Sequence, residues 1–105
     1  MKEGIRIREN SWLAWVAAKK LGVPAVALTI GRTIHLYKTS RQGFLGDQRW
    51  VRHEMAHVEQ FRRYGFWKFI YLYLAESVNK GYYLNKYEIE AREAEDQVAG
   101  GRGDG

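Results

Sequence analysis

Hydrophobic and polar positions alternate at the start of the chain, in Ile5-Arg6-Ile7-Arg8, which predicts a short strand or an extended lead-in. Asn10 or Ser11 then offers an N-cap for the apolar stretch Trp12 to Leu21. Gly22 follows as a stop, so a first helix is expected there. Beyond Pro24, Ala25-Val26-Ala27-Leu28-Thr29-Ile30 and Thr33-Ile34-His35-Leu36-Tyr37 flank Gly31 and predict a pair of short strands. Ser40 to Gly46 holds no sustained period and reads as a loop or short turn.

Asp47 can cap a second helix running to Tyr64, with Val51, Met55, Val58 and Phe61 as its apolar face and Gly65 as its stop. Phe66 to Lys80 predicts a third helix, ended by Gly81. Asn85 starts a fourth that reaches about Val98, along the stripe Leu84, Tyr87, Ala91, Ala94 and Val98. The pattern describes an α+β domain, mostly helical, with about four helices and a short N-terminal β-hairpin or small sheet. Residues 1–99 form one domain without repeat or linker, and the glycine-rich tail over residues 100–105 is expected to be disordered.

Composition narrows the function classes. The 105 residues suit a single core, and 46% hydrophobic with 14% aromatic content argues for a folded chain. Cysteine is absent, so disulfides and thiolate metal sites are excluded. A net charge of +5 invites a nucleic-acid partner, but the basic residues are scattered from Lys2 to Arg102 without a dense run. Trp12 to Ala18 resembles the apolar core of a signal peptide, yet Lys19-Lys20 interrupts it before the small residues Ala25-Val26-Ala27. A cytoplasmic chain is therefore expected, unless a dedicated system exports it. The apolar run from Phe66 to Ala75 is too short to span a bilayer, which takes about 20 residues, and reads as a helix core face.

The chemistry concentrates in His53-Glu54-Met55-Ala56-His57, an H-E-x-x-H motif within the expected second helix. Residues four apart on a helix lie one above the other, so two imidazoles can converge on one Zn²⁺ with Glu54 beside them as general base. Two of the chain's 3 histidines fall in this motif. Two His ligands leave zinc short of the three protein ligands usual in catalytic sites. No His follows within Val58 to Tyr64, so a carboxylate from a later helix must complete the set. Glu88 and Glu90 flank opposite borders of the last apolar stripe, and periodicity does not choose between them. Asn85-x-x-Glu88 also has capping-box spacing, which would give Glu88 a purely structural task. His35 reads as a half-exposed strand residue, with a place in a cleft as the alternative. Tyr82 and Tyr83 read as packing residues, with an oxyanion donor as the alternative.

Several segments together resemble one family. They are Gly31-Arg32-Thr33-Ile34-His35-Leu36, His53-Glu54-x-x-His57-x-x-Gln60, Arg63-Tyr64-Gly65 and Gly81-Tyr82-Tyr83-x-Asn85-x-x-Glu88-x-Glu90-Ala91. This set is similar to the small gluzincin-type zinc metallopeptidases of a domain family, of unknown function, associated with extracellular contractile injection systems. The resemblance covers roughly residues 5–95 and implies a minimal zincin-like fold. It implies Zn²⁺ held by His53, His57 and Glu88, with Glu90 in reserve, and Glu54 catalysing peptide hydrolysis. A peptide or protein substrate, and a place in a larger assembly, follow from the same resemblance. Several gluzincins carry an Asp four residues after the ligand Glu, supporting a His ligand from behind; this chain has Arg92 there. That departure leads one to expect zinc binding rather than efficient catalysis. The alternative function is a catalytically weak or inactive zincin scaffold that binds protein or, less readily, nucleic acid.

Overall fold

A computed structural model describes residues 4–97. Strand β1, Arg6–Arg8, leads through Asn10 into α1, Trp12–Leu21. Ser11 caps α1, as its spacing predicts, and Gly22 closes it with a left-handed φ of 70° that favours glycine. Strands β2, Val26–Ile30, and β3, Thr33–Tyr37, form a hairpin in which Ile30 pairs with Thr33 across Gly31-Arg32. β1 joins the far side of β3 in parallel, giving the sheet order β1-β3-β2 and leaving β2 as an edge.

The sheet is covered on both faces, which decides the fate of β3. Ile34 and Leu36 face a core with Phe44, Trp50, Val51 and Met55. His35 faces the opposite way, toward the start of α1, where Ser11 Oγ lies 2.8 Å from its Nδ1. His35 is thus buried, neither half-exposed nor part of a cleft; strict alternation assumes one wet face, and a middle strand under helices has none. Burial first, and then the positive charge of Arg8, lower its pKa and favour the neutral ring that accepts the Ser11 hydroxyl proton.

The expected loop over Ser40 to Gly46 holds a further helix, α2, Arg41–Leu45, capped by Ser40 Oγ at 2.9 Å from Gly43 N. Among the described residues there are five helices where about four were expected. A helix this short commits one side chain, Phe44, to the core and leaves no period to recognise.

Helix α3, Gln48–Tyr64, runs from an Asp47 cap to a stop at Gly65, as its sequence predicts. Helix α4, Phe66–Leu84, loses helical geometry at Gly81 (φ 80°), the expected stop, and adds one further turn. Helix α5, Lys86–Glu95, ends before the Val98 reach expected of it. Val98 and the glycine-rich tail lie outside the described residues. Phe61, Phe69 and Tyr87 bring α3, α4 and α5 into a second, aromatic core, with Phe61 and Phe69 centroids 4.7 Å apart.

The turn from α4 into α5 is fixed by Asn85, which is fully buried and fully partnered. Its Nδ2 donates to Tyr73 O and Ser77 Oγ at 3.1 and 2.8 Å, and its Oδ1 caps α5 through Tyr87 N at 2.8 Å. No helix among the described residues is long and apolar enough to cross a membrane.

Replacing Ser11 by Ala removes the α1 cap and the hydroxyl on His35 together. A loss of about 1–3 kcal/mol of stability is expected, read as a lower urea midpoint at unchanged slope. An unchanged midpoint would show that this junction contributes nothing.

Candidate metal centre

Helical spacing places His53 and His57 on the side of α3 that faces α5, with ring centroids 5.0 Å apart. α5 can come close because Ala91, fully buried, stands between the two helices. One turn beyond its Asn85 cap, α5 delivers Glu88, whose Oε1 lies 3.1 Å from His53 Nε2 and 3.2 Å from His57 Nε2. The other oxygen, Oε2, accepts from the Tyr73 hydroxyl on α4. Ligand atoms of His53, His57 and Glu88 all fall within 4.8 Å of one another.

The two acidic candidates therefore part company. Glu88 does not cap its helix; the cap is Asn85, and the Glu88 carboxylate is spent on the histidines and Tyr73. Glu90 instead accepts from Gln60 Nε2 at 2.6 Å and lies 3.5 Å from Arg63 Nη1.

The remaining ring nitrogens are held from behind. Gln60 donates through Nε2 to Tyr87 O and Glu90 Oε1, so its Oε1 must accept, and it does so from His57 Nδ1 at 2.8 Å. His53 Nδ1 sits 2.6 Å from Glu95 Oε2. Both histidines thus carry a proton on Nδ1 and turn Nε2 toward Glu88. The absence of an acid at Arg92 does not leave the site unsupported: Arg92 lies over the Tyr83 ring at 4.1 Å, and the carboxylate behind His53 comes from Glu95.

Glu54 points the other way, to the edge strand. Thr29 Oγ1 on β2 donates to its Oε1 at 2.7 Å. Burial pushes Glu54 above the ordinary carboxylate range, against the lowering effects of His57 and Thr29. Burial also disfavours charge on Glu88, but hydrogen bonds from both histidines outweigh it and hold the carboxyl far below its usual range. Burial lowers both imidazoles, and hydrogen bonding to Glu88 overrides it, raising His53 and bringing His57 to about 9. Tyr73 and Tyr82 stay protonated, through burial first and the Glu88 charge second.

His53, Glu54, His57 and Glu88 open onto one cavity of about 280 Å³ between β2, α1 and α4. Its walls are mainly apolar, among them Leu28, Ile30, Phe69, Ile70 and Leu74, and Tyr82 stands at its polar end. Tyr83 lies outside it. Thr29, Gln60, Tyr73 and Glu95 carry site contacts that the motif does not announce. Two of these leave a periodic trace: Gln60 is three residues after His57, and Glu95 seven after Glu88, each on the same helical face.

The eCIS core domain family model matches residues 3–65. That is more than half of the chain, so the chain belongs to the eCIS core domain family, the one associated with extracellular contractile injection systems. The match contains the H-E-x-x-H helix and ends at Gly65, before α4 and the α5 carboxylates. No curated protein and no solved structure matches the chain.

The pKa shifts fix how the metal-free protein responds to pH. The raised His57 contributes stability that is fully present below its unfolded value of 6.5 and is lost as pH rises through about 9. The raised Glu54 acts in the same direction, losing its contribution as pH rises above 4.5. The lowered Glu88 contributes above 4.5 and loses it only in strong acid. Stability in chelator should therefore fall by up to about 3 kcal/mol from pH 6.5 to above 9, and His57→Gln should flatten that slope. Urea midpoints across that range give the measurement; a rise toward pH 9 would contradict the ion pairing.

Proposed function

We propose that this eCIS core domain is a zinc-dependent peptidase with a His₂Glu site. The observation that carries the reading is the convergence of His53 Nε2, His57 Nε2 and one oxygen of Glu88, beside a general-base candidate on the same helix. The donor set suits zinc, which takes imidazole and carboxylate ligands in catalytic sites and keeps one position open. The cavity beside the cluster supplies room for that open position. Bound there, the cation supplies Lewis acidity, which makes water a nucleophile at neutral pH and polarises a carbonyl oxygen.

The chain's own residues perform the rest. Glu54, already raised in pKa by burial, accepts the proton of the attacking water and returns it to the leaving amine. Thr29 holds that carboxylate in register with the edge strand. The outer edge of β2 is unpaired among the described strands and borders the cavity, so an extended peptide can add there as a further strand. Tyr82, kept protonated at the polar end of the cavity, is the hydroxyl available to a developing oxyanion. A partner within the larger assembly, or a peptide segment of it, is the substrate class this reading favours.

One observation favours a second reading, a zincin scaffold that binds a partner without turnover. On α4, Trp67, Tyr71, Leu74 and Val78 form one exposed stripe, at 78%, 70%, 57% and 86% exposure.

Zinc stoichiometry and hydrolysis of a mixed-sequence fluorogenic peptide library separate the readings. The wild type and Glu90→Ala should hold one zinc per chain, and Glu88→Ala should lose it. Glu54→Gln should keep zinc and lose about 10²–10⁴-fold in hydrolysis. Full hydrolysis by a zinc-loaded Glu54→Gln protein would end the proposed mechanism. Zinc binding with no hydrolysis by the wild type would favour the partner-binding scaffold.

A further inference from the structure

His ligands of zinc almost always give their second ring nitrogen to a carboxylate, a carbonyl or water, which fixes the ring and raises its basicity. At His57 this place is filled within α3 itself, by Gln60. At His53 no residue of α3 fills it. Arg92, four residues after Glu88, faces away onto Tyr83 and donates to its carbonyl.

Glu95 lies seven residues after Glu88. Seven residues at 3.6 per turn close almost two full turns, so both carboxylates leave α5 on the same face. Glu88 meets the Nε2 side of His53 at 3.1 Å, and Glu95 Oε2 meets its Nδ1 at 2.6 Å. The ring is gripped at both nitrogens by a single helix.

Glu95 is itself held in place. Its second oxygen, Oε1, accepts from Arg49 Nη2 at 3.1 Å. Its backbone carbonyl, one of those left over at a helix end, accepts from Arg52 Nε and Nη2 at 2.9 and 2.7 Å. Arg49 also pairs with Asp96, the residue that ends α5. Arg49, Arg52 and His53 are consecutive-turn neighbours on α3, so the clamp and the ring it serves share one scaffold.

We infer that Glu95 is the positioning residue of His53: it fixes the Nδ1–H tautomer, aims Nε2 at the cation and strengthens its basicity. The inference rests on the proposal that His53 is a zinc ligand. It also assigns the last turn of α5 to the metal centre.

The test is zinc affinity of the full chain by competition with a chromogenic chelator, with circular dichroism of each protein as the fold check. Glu95→Ala should weaken zinc binding by about 10–100-fold. Glu95→Gln should lose less, since its amide oxygen still accepts from Nδ1–H without the charge. Asp96→Ala removes a neighbouring carboxylate of the same clamp and should stay within about twofold of wild type, as exposed substitutions do. In the zinc-loaded wild type the His53 Nδ1–H proton should be visible by NMR as a downfield, slowly exchanging resonance. It should vanish in Glu95→Ala while that of His57 persists.

Should Glu95→Ala fail to fold, the partial loss in Glu95→Gln decides the matter. Unchanged affinity in a folded Glu95 variant overturns the role, as does an equal loss in Asp96→Ala, which would show that the clamp acts only on helix packing. If His53→Ala and Glu88→Ala also bind zinc as the wild type does, the metal centre itself fails, and Glu95 with it.

Discussion

A carboxylate buried between two imidazoles is the constraint on which this small domain turns. Glu88 reaches both histidines through one oxygen, and an unpaired carboxylate in that aromatic surrounding would carry a desolvation penalty of several kcal/mol. The surrounding architecture satisfies that demand. Asn85 fixes the start of α5, so Glu88 arrives one turn later at the level of the α3 histidines. Ala91 lets the helices close, and Tyr73 takes the oxygen that the histidines leave. The sheet contributes from the other side: Thr29, on the β2 face turned to α3, restrains Glu54 away from Glu88. Two carboxylates thus sit in one cavity under opposite influences, one driven toward the charged form by its donors and the other toward the neutral form by burial.

The parts of this arrangement that were legible in the sequence are those set by local chemistry. The H-E-x-x-H spacing gives the facing histidines directly, and Ser11, Asp47 and Asn85 announce three helix starts through their caps. Gly22, Gly65 and Gly81 mark where helical geometry stops. What escaped depends on which surfaces meet. His35 sits in a strand covered on both faces, a fact about α1 and α3 rather than about the strand. The choice between Glu88 and Glu90 is of the same kind. Both borders of the α5 stripe contact α3, one at the histidines and the other at Gln60 and Arg63, so periodicity alone was bound to leave them equal. Tyr73 and Thr29 reach the site across elements distant in the chain and leave no local trace.

The family match adds a division of labour to this picture. Its boundary at Gly65 encloses the sheet and the helix carrying His53, Glu54 and His57, while the aromatic helix α4 and the acidic helix α5 follow it. The carboxylate that completes the His/Glu cluster therefore comes from outside the matched region. α5 serves the cluster with few resources: Glu88 toward Nε2 of both histidines, Glu90 through Gln60 toward His57, and Glu95 toward His53. Glu88 thus serves both rings, Glu95 one directly and Glu90 one through Gln60.

Charge explains how these titratable groups can be buried together. Against the lowering effect of burial, hydrogen bonds to Glu88 raise both imidazoles, His57 to about 9, and so favour charged rings beside that carboxylate. Around them Tyr73 donates to Glu88, Gln60 accepts from His57, and Arg49 and Arg52 hold Glu95. His53, His57 and Glu88 already converge, so the zinc proposed for this site would require proton release on binding. Affinity for the proposed zinc would therefore depend on pH, in part through His57. Its proton, held up to about 9 by Glu88, is one that such a cation would have to displace.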